Sequence, residues 1–514
     1  MVEPPRRKFV PPGSATTLTT RTSKTGTALP AAVKHGRLSN GPGTHEIPVE
    51  LFANNRTRLI EQLRPKITGK PVVLLQGGDE VPLYDTDNLY APFRQESFFM
   101  WTFGVVEPGC YGAIDIQTKT NYLFVPRYPD SYRIWNGHLP SPAHLIKKYG
   151  LHQVNYVDEL LPVLLKMTPT VLLTLRGVNS DSSVTSKEAR FPGIDKFQVN
   201  NAILYPEIAD LRVFKNDYEI DVLRYVVEVT SEAMRSVMRF ARPGKTDRQC
   251  VAEFLRYSSV EGGCEPAATM CTCAAGENAA FVNYGGTADV VLLPPDGLCV
   301  LDMGACYFGY CGKISCTFPL GGKFGTRQKL IYEAVLAARD AVFKELRSGV
   351  EWTDMQLLSQ RTLLGELKTA GLLRGDLDQM VNSGLGVIFH PHGIGSFLGL
   401  DEHDVGGFIG AKPAEGRAVN VLRTTRVLEE RMVLTLGPGC YFNDMLLDEA
   451  AENASLNRFF VTEILRKFRG LGGVKIQDDV LITKNKAICL TKLPRTVTEI
   501  ENWLAGKDDT KYYN

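Results

Sequence analysis

The chain of 514 residues has almost no net charge: 58 Lys and Arg stand against 57 Asp and Glu, a formal +1. That balance excludes the basic footprint of a nucleic-acid binder or of a protein held on an anionic membrane surface. No apolar run approaches the roughly 20 residues of a membrane-spanning helix. The eleven cysteines include no CxxC pair, which removes the common zinc-binding patterns. In a chain of this length they read as reduced, buried thiols of an intracellular, cytoplasmic protein. The glycine pairs in "QGGDE" and "GGTAD" lack the spacing of a phosphate-binding loop.

What is present is enough apolar sequence, 44%, for two cores, and 514 residues exceed what one core normally serves. Residues 1–46 are rich in Pro, Thr and basic side chains and poor in large apolar ones. They are expected to form a disordered tail. The tail lacks the apolar stretch of a secretory signal. Its basic, acid-poor text leaves an organelle address, such as a mitochondrial one, as the alternative to a plain tail. Residues 47–211 alternate helix and strand signals: "VELFANNRTRLIEQLRPK" at helical spacing, "PVVLLQGG" and "TVLLTLRG" as buried strands, "YGAIDIQTKTNYLFVP" as a hairpin. This is a mixed α/β domain.

A long helix is expected from about Asp217, with Asp217 as N-cap and Ile220, Leu223, Val226, Val227 and Met234 on its apolar face. A domain boundary is placed just before it, near Arg212. Residues 212–505 then alternate amphipathic helices with strand pairs, and 506–514 form a C-terminal tail. Cys306 and Cys311, five residues apart in "ACYFGYC", fall on opposite faces of an extended segment.

Several blocks resemble the prolidase family of pita-bread metallopeptidases, family M24. They include "FRQESFFMWTFGVVEPGCYGAID" in the first domain, and "LDMGACYFGYCGKISCTFP", "PHGIGSFLGLDEHDVGG", "LRTTRVLEERMVLTLGPGCYF", "FRGLGGVKIQDDVLIT" and "LPRTVTEIE" in the second. The resemblance runs from about residue 48 to 505. It implies an α+β chain, an N-terminal α/β domain followed by a pita-bread domain, and a homodimer. It also implies Xaa-Pro dipeptidase chemistry, with two manganese ions held by two Asp, one His and two Glu.

Carried over by motif, those five positions are Asp302, Lys313, Ser396, Gly437 and Gln477, so one ligand of the five remains. Among the family's substrate-facing positions, His392, His403 and Arg423 are kept. Asn283 stands where the motif has His, and Lys475 where it has Arg. Hard divalent ions need several oxygen donors, so no metal is expected here. Four carboxylates balance two divalent ions; Asp302 and Lys313 balance each other. The expected arrangement is an ion pair between them. Its alternative is a Lys313 whose ammonium reaches solvent along its stem. The implied function is a pseudopeptidase that binds a peptide or carboxylate, or that serves as a subunit for protein partners. The alternative is an active or weakly active metal-dependent Xaa-Pro dipeptidase or aminopeptidase.

Overall fold

A computed structural model describes residues 36–89, 92–265, 270–285 and 291–507. The tail expected over 1–46 lies outside the described residues up to position 35, and its last part is ordered. Strand β1 (Arg37–Leu38) pairs antiparallel with β2 (Ile47–Pro48). Leu38 and Ile47 are buried. Tyr307 Oη, from the second domain, donates to His45 O at 2.6 Å and accepts from Asn40 N at 3.3 Å. The averaged composition of the segment hides two apolar anchors and a distant hydroxyl that meets its backbone.

The helix Glu50–Leu63 follows, burying Leu51, Phe52, Leu59, Ile60 and Leu63. Strands β3 (Pro71–Gln76), β4 (Tyr111–Asp115), β5 (Asn121–Val125), β6 (Gln153–Tyr156), β7 (Val171–Thr174) and β8 (Val199–Asn200) form one sheet in the order β6-β5-β4-β3-β7-β8. The expected hairpin is β4–β5, Tyr111 opposite Phe124. β3 runs parallel to β7, so the connection between them crosses over, as in mixed α/β domains.

Arg212, chosen as the domain boundary, sits inside the helix Leu204–Val213, and the break in helix falls at Phe214–Asn216. Arg212 is no linker residue. Its Nη2 meets Asp404 Oδ1 at 2.8 Å, while Lys215 Nζ meets Asp404 Oδ2 at 2.7 Å, all three side chains being buried. This ion cluster ties the junction to the loop that carries His403. Two cations on one carboxylate with no solvent near is a geometry that fixes relative position, because either cation left alone would be costly.

The long helix spans Asp217–Phe240 and buries Leu223, Val226, Val227 and Met234; Ile220 is half-buried. Its N-cap is Asn216, not Asp217. Asn216 Oδ1 accepts from Glu219 N and the Glu219 carboxylate accepts from Asn216 N, both at 2.9 Å. Asp217 is one position too late to reach the third amide of the first turn. Asn216→Ala is expected to cost about 1 kcal/mol, read as a lower urea midpoint; an unchanged midpoint would contradict the capping role.

The second domain places β9 (Thr272–Ala275), β10 (Leu298–Met303), β11 (Cys306–Tyr307), β12 (Tyr310–Cys311) and β13 (Ile314–Pro319) ahead of the helices Thr326–Glu345 and Trp352–Thr369. β10 is the middle strand between β13 and β9. After the helices come β14 (Val433–Leu436), β15 (Gly439–Tyr441), β16 (Gly473–Lys475), β17 (Asp478–Ile482) and β18 (Ala487–Cys489). Isolated bridges link Ser315 to Gln477 and Phe397 to Leu434, closing the separate ladders around one interior. All eleven cysteines are free thiols. Cys306 and Cys311 do not lie on opposite faces. Phe308 and Gly309 adopt φ of 48° and 85°, the left-handed pair of a two-residue hairpin turn. The segment therefore reverses and sets Cys306 opposite Cys311.

Candidate functional site

Asp302 stands on the central strand β10 with Ser315 of β13 as its cross-strand partner. Lys313 immediately precedes β13, and its backbone N donates to Asp479 Oδ2 at 2.9 Å. That contact fixes where the lysine starts. Its ammonium ends 2.9 Å from Asp302 Oδ1. The expected ion pair is therefore formed, and the alternative of a solvent-seeking lysine is not: the Lys313 side chain is 7% exposed.

Asp302 holds a second cation that sequence reasoning missed. Lys475 Nζ lies 2.5 Å from Asp302 Oδ2. The motif comparison put Lys475 among substrate groups. The available signal was its spacing, since it lies two residues before Gln477, where an extended backbone returns to the same face. The neighbouring strands hold Lys475 in place: its N and O exchange hydrogen bonds with Thr317 Oγ1, both at 2.9 Å. Glu402 was also missed. Its Oε1 is 3.6 Å from Lys313 Nζ and 3.8 Å from His403 Nε2. Two carboxylates and two ammonium groups share the centre, and their formal charges cancel.

The protonation states follow from this geometry. Burial by itself would raise the Asp302 carboxyl. The Lys475 and Lys313 ammonium groups reverse that and hold it well below the usual carboxylate range. Burial pulls Lys313 down, but Asp302 and Glu402 more than restore it, leaving it above its ordinary value. Both groups stay ionised across neutral pH.

The other carried-over positions divide. Gln477 is buried and donates from Nε2 to Lys313 O at 3.0 Å. A Cβ added at Gly437 would come within 2.6 Å of Gln477 Oε1, so the glutamine amide fills the space that a side chain at 437 would enter. Ser396 is buried with its backbone paired to Thr435. Asn283 is exposed and forms no hydrogen bond among the described residues. The acids after Gln477 are structural. Asp478 pairs with Arg339 at 2.7 Å and with Arg495 at 2.5 Å.

The histidines form a second layer. His392 Nδ1 donates to Gly393 O at 2.9 Å, which leaves Nε2 to accept from Tyr441 Oη at 2.9 Å. His390 Nε2 lies 3.2 Å from His392 Nδ1. Burial, with the Lys475 charge nearby, pushes His392 down to about 4, and burial holds His390 well below its usual range. Both rings are neutral at pH 7. His403 has φ of 65°, a left-handed conformation held by the Asp404 ion cluster next to it. Arg423 is exposed, its Nη1 3.8 Å from Asp181 Oδ2 of the first domain.

Two divalent ions, as the family resemblance implies, do not fit this donor set. At the five positions one carboxylate is available, and each of its oxygens already holds an ammonium group. Ser396 and Gln477 are neutral and Gly437 offers no side chain. A divalent ion would meet two positive charges and too few oxygens to replace its water.

Comparison with known proteins agrees with the fold. The model of metallopeptidase family M24 matches residues 221–484, and that of the aminopeptidase P N-terminal domain matches 52–171. The Xaa-Pro dipeptidases of Homo sapiens and Mus musculus are each 46% identical to this chain, over 91% of it and 96% of their own length. Among solved structures, Pseudomonas aeruginosa aminopeptidase PepP superposes with a TM-score of 0.73 at 25% identity, covering 90% of this chain and 98% of that one. Escherichia coli aminopeptidase P with the inhibitor Pro-Leu gives 0.72 at 25% identity, covering 90% and 99%. The chain belongs to metallopeptidase family M24, with the N-terminal domain and pita-bread domain of the Xaa-Pro peptidases.

Proposed function

We propose that this chain is a prolidase-like pseudopeptidase, a family member that binds without cutting. One observation carries the reading: both oxygens of Asp302 are held by the Lys313 and Lys475 ammonium groups, at 2.9 and 2.5 Å. Peptide hydrolysis in a metallopeptidase needs a metal-bound water of lowered pKa and a Lewis acid on the carbonyl. This chain's residues supply neither. His392 is neutral, and its Nε2 is already engaged with Tyr441 Oη. Arg423 retains an exposed guanidinium able to take a carboxylate in a bidentate grip, which supports a residual role in holding a peptide C-terminus.

The second reading, an active Xaa-Pro dipeptidase, is favoured by the 46% identity to curated Xaa-Pro dipeptidases over nine-tenths of the chain. Elemental analysis of protein purified with manganese, cobalt and zinc, followed by a Gly-Pro hydrolysis assay, separates the two. The expected result is no stoichiometric metal and no turnover above a heat-denatured control. Two tightly held ions per chain with Gly-Pro cleavage would overturn the pseudopeptidase reading. A proline or Xaa-Pro dipeptide that binds the native state must raise the melting temperature; an increase lost in Arg423→Ala is the expected mark of the residual site.

A further inference from the structure

The loop between Asp302 and Lys313 carries a feature that peptide binding does not use. Strands β11 and β12 are each two residues long and joined by Phe308–Gly309. In such a hairpin the pair next to the turn, here Tyr307 and Tyr310, exchanges backbone hydrogen bonds. The next pair out does not, and its side chains stand closest, with Cα atoms about 4.5 Å apart. Cys306 and Cys311 are that pair. Their backbone groups point elsewhere: Cys306 O accepts from Glu265 N and Cys311 N donates to Gly399 O, both at 2.8 Å. Both side chains are buried, and the antiparallel register sets one directly across from the other. Disulfides span Cα separations of about 4.4–6.8 Å, so a directly opposed pair of this kind lies within disulfide reach.

We propose that Cys306 and Cys311 are a thiol modification site, closed to a disulfide by hydrogen peroxide. The surroundings suit a small oxidant. A cavity of about 50 Å³ lies beside the hairpin turn; the two cysteines are buried behind its walls, of which Arg94 touches Cys311 and Glu265 touches Cys306. It has room for a few water-sized molecules, and a tripeptide thiol does not fit. Arg94 Nη2 lies 3.8 Å from Cys311 Sγ, and Cys306 Sγ donates to Glu265 Oε2 at 3.7 Å. Cys306 gives its proton to Glu265 and its sulfur attacks a peroxide oxygen. The O–O bond breaks, and the departing hydroxide takes a proton and leaves as water. Cys311 sulfur then attacks the resulting sulfenic acid, the S–O bond breaks, and a second water leaves with the remaining protons. The thiols lose two electrons together and one peroxide becomes two waters.

The other thiol cluster is a built-in contrast. Cys273 and Cys299 have sulfurs 3.7 Å apart, but Cys273 faces Leu301 and Cys299 faces Ala275 across β9 and β10. That makes them diagonal neighbours, whose Cα atoms sit about 7–8 Å apart, beyond disulfide reach. The bridge at 306–311 would close the loop that sets Lys313 against Asp302. It would also displace the thiol on which Arg94 of the first domain rests, while Arg94 keeps Leu400 O and Asp401, each at 3.0 Å.

The test uses the full chain, reduced and then exposed to hydrogen peroxide. Thiols titrated after denaturation are expected to fall by two from the initial eleven. Peptide mapping should recover a Cys306–Cys311 link, and dithiothreitol should restore the count. Cys306→Ser and Cys311→Ser should each abolish the link. Should either variant fail to fold, mapping of the wild-type chain decides alone. A link that joins Cys273 to Cys299 instead, a count that stays at eleven, or oxidation that stops at sulfinic acid on Cys306 would overturn the proposal.

Discussion

Asp302→Asn is expected to cost about 3–5 kcal/mol of folding stability, the scale for removing one partner from a buried charged group. The substitution keeps the side-chain volume and removes the charge that two ammonium groups share. Lys313 would retain only Glu402 at 3.6 Å, and Lys475 would lose the carboxylate 2.5 Å away. Lys313→Met should cost less, because the pair between Asp302 and Lys475 survives it. Replacing all three by apolar residues of similar volume should recover most of the loss, since a buried ion group rarely outdoes good packing. Urea midpoints of the four proteins check the ranking. Equal midpoints for wild type and Asp302→Asn would remove the claim that these cations depend on Asp302. The pH dependence has two signs. The Asp302 carboxyl is lowered in the folded state, so its contribution is present above the unfolded value near 4 and is lost as pH falls through the lower folded one. Lys313 is raised, so its contribution is present below its unfolded value and is lost as pH climbs through the higher folded one. Across neutral pH neither titrates.

Most of this was legible because strands announce themselves. Asp302 sits in an unbroken apolar run, and the position of Lys313 relative to it could be counted in residues. Their pairing followed from sign and spacing alone. The partners that arrive from far along the chain were not legible. Lys475 reaches Asp302 across 173 positions, and nothing local in "GGVKIQDD" says which carboxylate it faces. Glu402 depends on a left-handed backbone at His403 and Asp404, with φ of 65° and 41°, and neither residue is the glycine that advertises such a turn. The Cys306–Cys311 contact was misread for a related reason. Phe308 at φ of 48° is an unusual choice for a hairpin turn, so the segment read as extended. The ordered stretch before Ile47 depends on Tyr307, 262 positions from His45.

The histidine pair supplies the other large effect. His392 titrates near 4 in the folded protein and near 6.5 when unfolded. The unfolded chain therefore binds protons first as pH falls. The stability from keeping this ring neutral is fully present above about 6.5 and is lost progressively as pH drops through about 4. A shift of that size corresponds to roughly 3 kcal/mol, and His390, lowered by its own burial and by His392 beside it, adds to the loss in the same direction. Glu219 and Asp479 work the other way. Burial raises both carboxyls, so their folded forms gain protons early and they favour the folded state as pH falls. The whole-protein curve thus mixes opposing terms, and the difference between wild type and His392→Gln isolates one. The glutamine amide can keep a hydrogen bond to Tyr441 Oη but cannot take up a proton. Urea midpoints for both proteins at pH 7, 6, 5 and 4 should converge on acidification, with the wild type losing stability relative to the variant below about pH 6. Parallel curves across that range would show that His392 is protonated as readily in the folded chain as in water, and the neutral, Tyr441-linked imidazole would have to be abandoned.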